Sequence, residues 1–165
     1  MKKLVLLLMV TLLTATSGVC GVEITRVDKV QPTDEMFMDM AVTAAKKSVA
    51  SNNVASGAVI ILNGAWRATG TPEGNNGAED AAFSKSRLSN LRNAKVYTIN
   101  EPPTAVINRL NALGVEAIYF ANPREAVIAA GIYPASAYDD SALDASVKQA
   151  PVYLIPYDDA EALLK

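Results

Sequence analysis

Two carboxylates sit where they could do acid-base chemistry: Glu79, in the run Asn76-Gly77-Ala78-Glu79, and Glu101, in Glu101-Pro102-Pro103-Thr104-Ala105-Val106. A carboxylate in a closed pocket can act as a general base without a metal. The amides at the start of a helix entered through Pro102-Pro103 can receive an anion or a carbonyl oxygen. The chain contains no His and a single Cys, Cys20. Its own residues therefore cannot assemble a zinc site of the usual nitrogen and sulfur ligands, and the reading assigns no cofactor. Asp139-Asp140 and Asp158-Asp159 are adjacent pairs without the spacing of a calcium loop, and read as turn and cap residues.

Glu79 also has a purely structural reading. Asn76-Gly77-Ala78-Glu79 has the form of a capping box, in which Asn76 caps a helix and Glu79 reaches back to its amide. An acid in a first turn also suits the helix dipole. Capping is the favoured reading of Glu79, with a functional carboxylate as the alternative. Trp66 and the six tyrosines read chiefly as core and rim residues. Only Trp66, Tyr133 and Tyr138 fall where a loop would present them for stacking.

The elements that must position these residues follow from periodicity. Thr33 or Asp34 is placed to cap a helix whose apolar positions Phe37, Met40, Ala41, Ala44, Ala45 and Val49 recur at three- and four-residue spacing. Gly57 to Leu62 and Ala65 to Thr69 read as two strands joined by Asn63-Gly64, a strong hairpin signal. A turn-rich stretch from Gly70 to Asn76 leads to a helix over 77–92. A strand over 95–99, a helix over 103–113 and a strand over 115–121 follow. Then come a helix from Asn122-Pro123 to Ala130, a helical stretch over 141–149, a strand over 152–155 and a last helix over 158–165. Helices alternating with short strands after an initial hairpin predict a three-layer α/β/α domain with a mixed five-stranded sheet.

Lys2-Lys3, an apolar run from Leu4 to Leu13 and small residues up to Gly18 read as a secretory signal peptide, too short for a membrane span. Residues 1–20 are read as this leader, 21–33 as a linker and 34–165 as the domain. Export to the periplasm or beyond is the expectation. A lipid anchor on Cys20 is the alternative, against which Ser17-Gly18-Val19 is a poor lipoprotein match. Without Lys2 and Lys3, the 15 basic residues fall to 13, against 17 acidic. That surface offers no electrostatic footprint for tRNA or DNA.

The order helix, hairpin, helix, strand, helix, strand, helix, strand resembles the cytidine-deaminase-like superfamily, nearest to its guanine deaminase and tRNA-adenosine deaminase branch. Gly57-Ala58-Val59-Ile60-Ile61, Tyr97-Thr98-Ile99-Asn100-Glu101-Pro102 and Ala130-Gly131-Ile132 each resemble that branch's sequences in the same order. Its zinc motifs read His-Ala-Glu and Glu-Pro-Cys-x-x-Cys. The resemblance therefore puts Gly77, Pro103 and Val106 at the metal-ligand positions and Glu79 at the acid-base position, while Pro72 falls where the family has a base-contacting Asn. Taken with the leader's indication of export, the resemblance and its departures imply a protein without the zinc site and without zinc-dependent deamination. It would act as a binding module for a small nucleobase-like molecule or a protein, through a cleft at Asn63, Glu79, Glu101 and Thr104 or through a homodimer surface. A metal-free enzyme using Glu79 as acid-base on a small polar substrate is the alternative.

Overall fold

The computed structural model describes residues 21–165; the stretch read as a leader, with Cys20, lies outside the described residues. Six strands form one sheet in the order β1-β6-β5-β4-β2-β3. They are β1 (Ile24–Arg26), β2 (Ala58–Leu62), β3 (Ala65–Gly70), β4 (Ala94–Asn100), β5 (Ala117–Asn122) and β6 (Val152–Leu154). β2 runs antiparallel to both β3 and β4, and the pairs β4–β5, β5–β6 and β6–β1 are parallel. The sheet is mixed, as expected, but has six strands rather than five. The extra one, β1, comes from the stretch read as a linker: three residues are too few to show a period, and its partner β6 lies over a hundred residues away.

The helices are α1 (Pro32–Ala50), α2 (Ala78–Ser86), α3 (Thr104–Ala112), α4 (Arg124–Ala129) and α5 (Asp158–Glu161). Strand alternation sends side chains to opposite faces, and the core divides accordingly. Val59, Ile61, Tyr97 and Ile99 pack with Phe37, Met38, Ala41 and Ala45 of α1 and Ala160 of α5. Ile60, Val96, Ile118 and Phe120 pack on the other face with Ala82 of α2 and Val106, Ile107 and Leu110 of α3. This is the three-layer α/β arrangement. Among the described residues no helix is long and apolar enough to cross a membrane.

Several boundaries differ from the sequence reading for local reasons. α1 starts at Pro32, with Gln31 preceding it and no side-chain cap; Asp34 instead accepts a 2.5 Å hydrogen bond from the Tyr97 hydroxyl. α2 stops at Ser86 because Arg87 turns left-handed at φ 57°. Leu91 is nevertheless fully buried, from the loop beyond. The helix expected over 141–149 is absent. Asp139 and Asp144 accept from the amides of Ser141 and Ser146, and such short acid-amide turns compete with helix. Two 3₁₀ turns, Ala135–Tyr138 and Asp140–Ala142, precede and overlap the start of this stretch.

The hairpin turn is as read. Asn63 and Gly64 both have positive φ, 50° and 81°, the pairing a two-residue turn of this hand requires. Gly64→Ala is expected to cost about 1 kcal/mol, measured as a shift in the urea midpoint. No loss would mean that the turn relaxes. Gly70, at the end of β3, positions α2: a Cβ there would lie 2.1 Å from the Ala78 carbonyl oxygen and 2.3 Å from the Ala82 amide. The first turn of α2, which carries Glu79, rests directly on the strand.

Candidate functional site

The parallel strands β4 and β5 end beside the first turns of α2, α3 and α4, the edge at which open α/β sheets place ligands. Glu79 lies here, 2% exposed. Its Oε1 is 2.6 Å from the hydroxyl of Thr98, which is also 3.3 Å from the Gly57 carbonyl oxygen. Its Oε2 has no hydrogen-bond partner, and neither has the nearby buried hydroxyl of Ser56. The capping box is therefore corrected: Gly77 is the cap residue of α2 and makes no side-chain bond, while Glu79 points into the protein. Burial raises its pKa above the usual carboxylate range. The Thr98 contact opposes this, and neighbouring Asp80 adds to it.

Glu101 is buried for a different purpose. Its Oε2 accepts a 2.6 Å bond from Arg124 Nε, and Arg124 Nη1 donates to Asp140 at 3.1 Å. The Glu101 backbone carbonyl accepts from the Tyr138 hydroxyl at 2.6 Å, and the Arg124 guanidinium lies 5.3 Å from the Tyr138 ring centre. Burial raises the Glu101 pKa, with the Arg124 charge opposing. Glu101 thus ties the start of α4 and the segment 131–140 to the end of β4.

Gly77, Glu79, Pro103, Thr104 and Val106 all lie at the first turns of α2 and α3. Pro103, Thr104 and Val106 are buried. Asn63 does not join them. It occupies the hairpin turn, past Leu62, which pairs with Ala94 at the far end of β4 from Thr98. Thr98, Ser56, Tyr133 and Arg124 were not assigned to the site from sequence. A threonine inside a strand and a serine before a glycine carry no local signal for this role, and Tyr133 was noted only as a loop aromatic. Trp66 is 55% exposed and donates to the Thr69 hydroxyl at 2.8 Å. Asp80 and Arg109 join α2 to α3 through two bonds of 3.0 and 2.5 Å.

The side chains here do not suit a zinc ion. Glycine, proline and valine carry no side-chain lone pairs, and among the described residues no three His, Cys, Asp or Glu come together as a metal-binding group. What the arrangement offers is a buried carboxyl with one oxygen unpaired, beside a hydroxyl and two helix starts.

No protein-family model matches the chain, and no curated protein matches it. Solved structures do. A tRNA deaminase studied for A-to-I editing at the wobble position superposes with a TM-score of 0.61 at 19% identity, over 79% of this chain and 99% of that one. NE0047, solved with 2,6-diaminopurine, gives 0.64 at 18% identity over 82% of each. Guanine deaminase from Bacillus subtilis gives 0.54 at 26% identity over 65% of this chain and 71% of that one. The chain has the α/β fold of the cytidine-deaminase-like proteins.

Proposed function

We propose that this chain is an exported, metal-free binding module on a deaminase fold, and that it does not carry out zinc-dependent deamination. The observation that carries this reading is the pairing of Gly77, Pro103 and Val106, which offer a metal nothing, with a Glu79 carboxyl sealed from solvent. Zinc-activated water attacks a base with a Glu as proton shuttle; here the Glu remains and the donor set does not fit the ion. The basic, apolar leader supports export, and the solved relative holding 2,6-diaminopurine makes a nucleobase-like molecule the small ligand to try first.

The test is metal analysis of the purified protein, an ammonia-release assay, and a thermal-shift screen against bases, nucleosides and pterins. The expected result is no stoichiometric zinc and no ammonia from cytidine, guanine or adenosine, with stabilisation by a ligand following mass action. One equivalent of tightly bound zinc would refute the proposal. Glu79's unpaired oxygen and its pKa, raised by burial, also favour a second reading, metal-free acid-base catalysis. Turnover of any screened compound that disappears in Glu79→Gln would establish that instead.

A further inference from the structure

β3 is a bare edge. It ends the sheet order, so the outer row of amide and carbonyl groups along Ala65–Gly70 has no strand to pair with among the described residues. Such a row is a template for a further strand. α1 packs over β2 and β4, and no residue of β3 joins that core. A cleft of about 760 Å³ therefore lies beside the strand, with Met36, Met40, Thr43 and Lys47 of α1 on one side and Thr69 and Thr71 on the other. The Asn53 side-chain amide donates to the Pro72 carbonyl at 3.2 Å, which ties the end of α1 to the end of β3 and keeps helix and strand alongside each other.

The two faces of this edge differ in chemistry. Met36 on the cleft wall and Trp66 on the strand are each more than half exposed, and exposed apolar side chains beside an unpaired strand mark an interaction surface. The Trp66 indole donates to the Thr69 hydroxyl at 2.8 Å, which lays the ring along the strand on the cleft side. Arg67 is a bulged residue: Ile60 pairs with Ala68 and Ile61 with Trp66, so nothing on β2 stands opposite it. Its Nε donates to the Ser86 carbonyl at 3.1 Å, at the end of α2 and so on the other face of the sheet. Neither Arg67 nor Lys47 has a carboxylate partner among the described residues.

A central cation guards an edge against a strand of its own kind. Pairing β3 with β3 of a second copy would set two Arg67 side chains close to the two-fold axis, and like charges opposed across strands are destabilising. A strand that carries acids meets the same arginine as a partner. We infer that β3 takes up an extended segment of a partner protein as a further strand, whose apolar residues face the cleft and whose alternate, acidic residues face Arg67. The alternation follows from strand geometry, which sends successive side chains to opposite faces. Main-chain pairing supplies the affinity, and the alternate side chains select the partner. This surface shares no residue with the Glu79 pocket, and the inference does not depend on what that pocket holds.

Trp66 is the only tryptophan of the chain, so its fluorescence reads this edge directly. A short capped peptide alternating valine and glutamate should shift the emission to the blue and saturate. The same peptide with lysine in place of glutamate should bind about tenfold more weakly, as an attractive charge contact becomes a repulsive one. A valine–glutamate peptide with a central proline, which lacks a main-chain donor, should lose affinity by a similar factor. Arg67→Glu should reverse the preference between the glutamate and lysine peptides. No saturable shift with the valine–glutamate peptide, equal binding of the lysine or proline peptide, or an unchanged preference in a folded Arg67→Glu would each overturn the inference. The peptide comparisons use the intact chain and decide the matter even if that variant does not fold. A chain that sediments as a dimer and becomes monomeric on Trp66→Glu would also overturn it, since a second copy would then hold the edge.

Discussion

Arg124→Ala is expected to destabilise the protein by about 3–5 kcal/mol at pH 7, toward the lower figure because a quarter of the arginine side chain meets solvent. The loss comes less from the vanished ion pair than from what is left behind: a Glu101 carboxyl 3% exposed with no countercharge. The pH dependence follows from the sign of the shift. Burial already raises the folded pKa of Glu101 above its unfolded value, so its contribution is most favourable below the unfolded pKa and declines as pH rises through the folded one. Removing Arg124 raises the folded pKa further. The deficit of the variant should therefore shrink toward pH 4 and grow toward neutrality, read from urea midpoints across that range. Glu101→Gln in the same chain should recover most of the loss. A deficit below about 1 kcal/mol, or one constant from pH 4 to 7, would mean that Glu101 is better solvated than its surroundings indicate.

Arg124 also shows why the site was only partly legible in the sequence. The strands and helices announced themselves through periodicity, and Asn63-Gly64 marked its turn by backbone chemistry alone, so the layers and most of the element order follow from local signals. Pairing across the chain did not. Arg124 meets Glu101 across 23 positions, and Thr98 meets Glu79 across 19; nothing in either neighbourhood announces the partner. The resemblance put Asn63 in the cleft, yet an antiparallel hairpin sends its turn to the opposite end of the sheet from the strand ends that bear Thr98 and Gly57. The capping-box pattern misled for a related reason. Asn76 and Glu79 have the right spacing, but the short Glu73–Asn76 bridge occupies Asn76 in the preceding turn, and the cap falls one residue later, on Gly77.

Glu79→Gln is expected to raise stability at neutral pH, by on the order of 1–3 kcal/mol, and to flatten its dependence on pH. The Thr98 hydroxyl has one proton and two oxygen neighbours, Glu79 Oε1 at 2.6 Å and the Gly57 carbonyl at 3.3 Å. If Glu79 holds its proton, it donates to Thr98 and Thr98 donates to Gly57, and every hydrogen has an acceptor. If Glu79 is ionised, Thr98 must turn to it, and a charge remains in a site with one oxygen unpaired. The raised pKa follows from burial, which outweighs the Thr98 contact. A carboxyl whose folded pKa exceeds its unfolded value contributes most below the unfolded value and progressively less as pH climbs through the folded one. The native chain should thus lose stability from about pH 4.3, the ordinary Glu value, upward. Glutamine keeps the donor toward Thr98, the volume and the neutral charge at every pH, so it retains the relay and removes the loss. Glu79→Ala keeps neither volume nor donor and should be less stable than Glu79→Gln at every pH. Thermal midpoints of the three proteins between pH 4 and 8 decide the matter: a Glu79→Gln midpoint below that of the native chain at pH 8 would show that the ionised carboxylate is held by contacts stronger than the Thr98 hydroxyl alone.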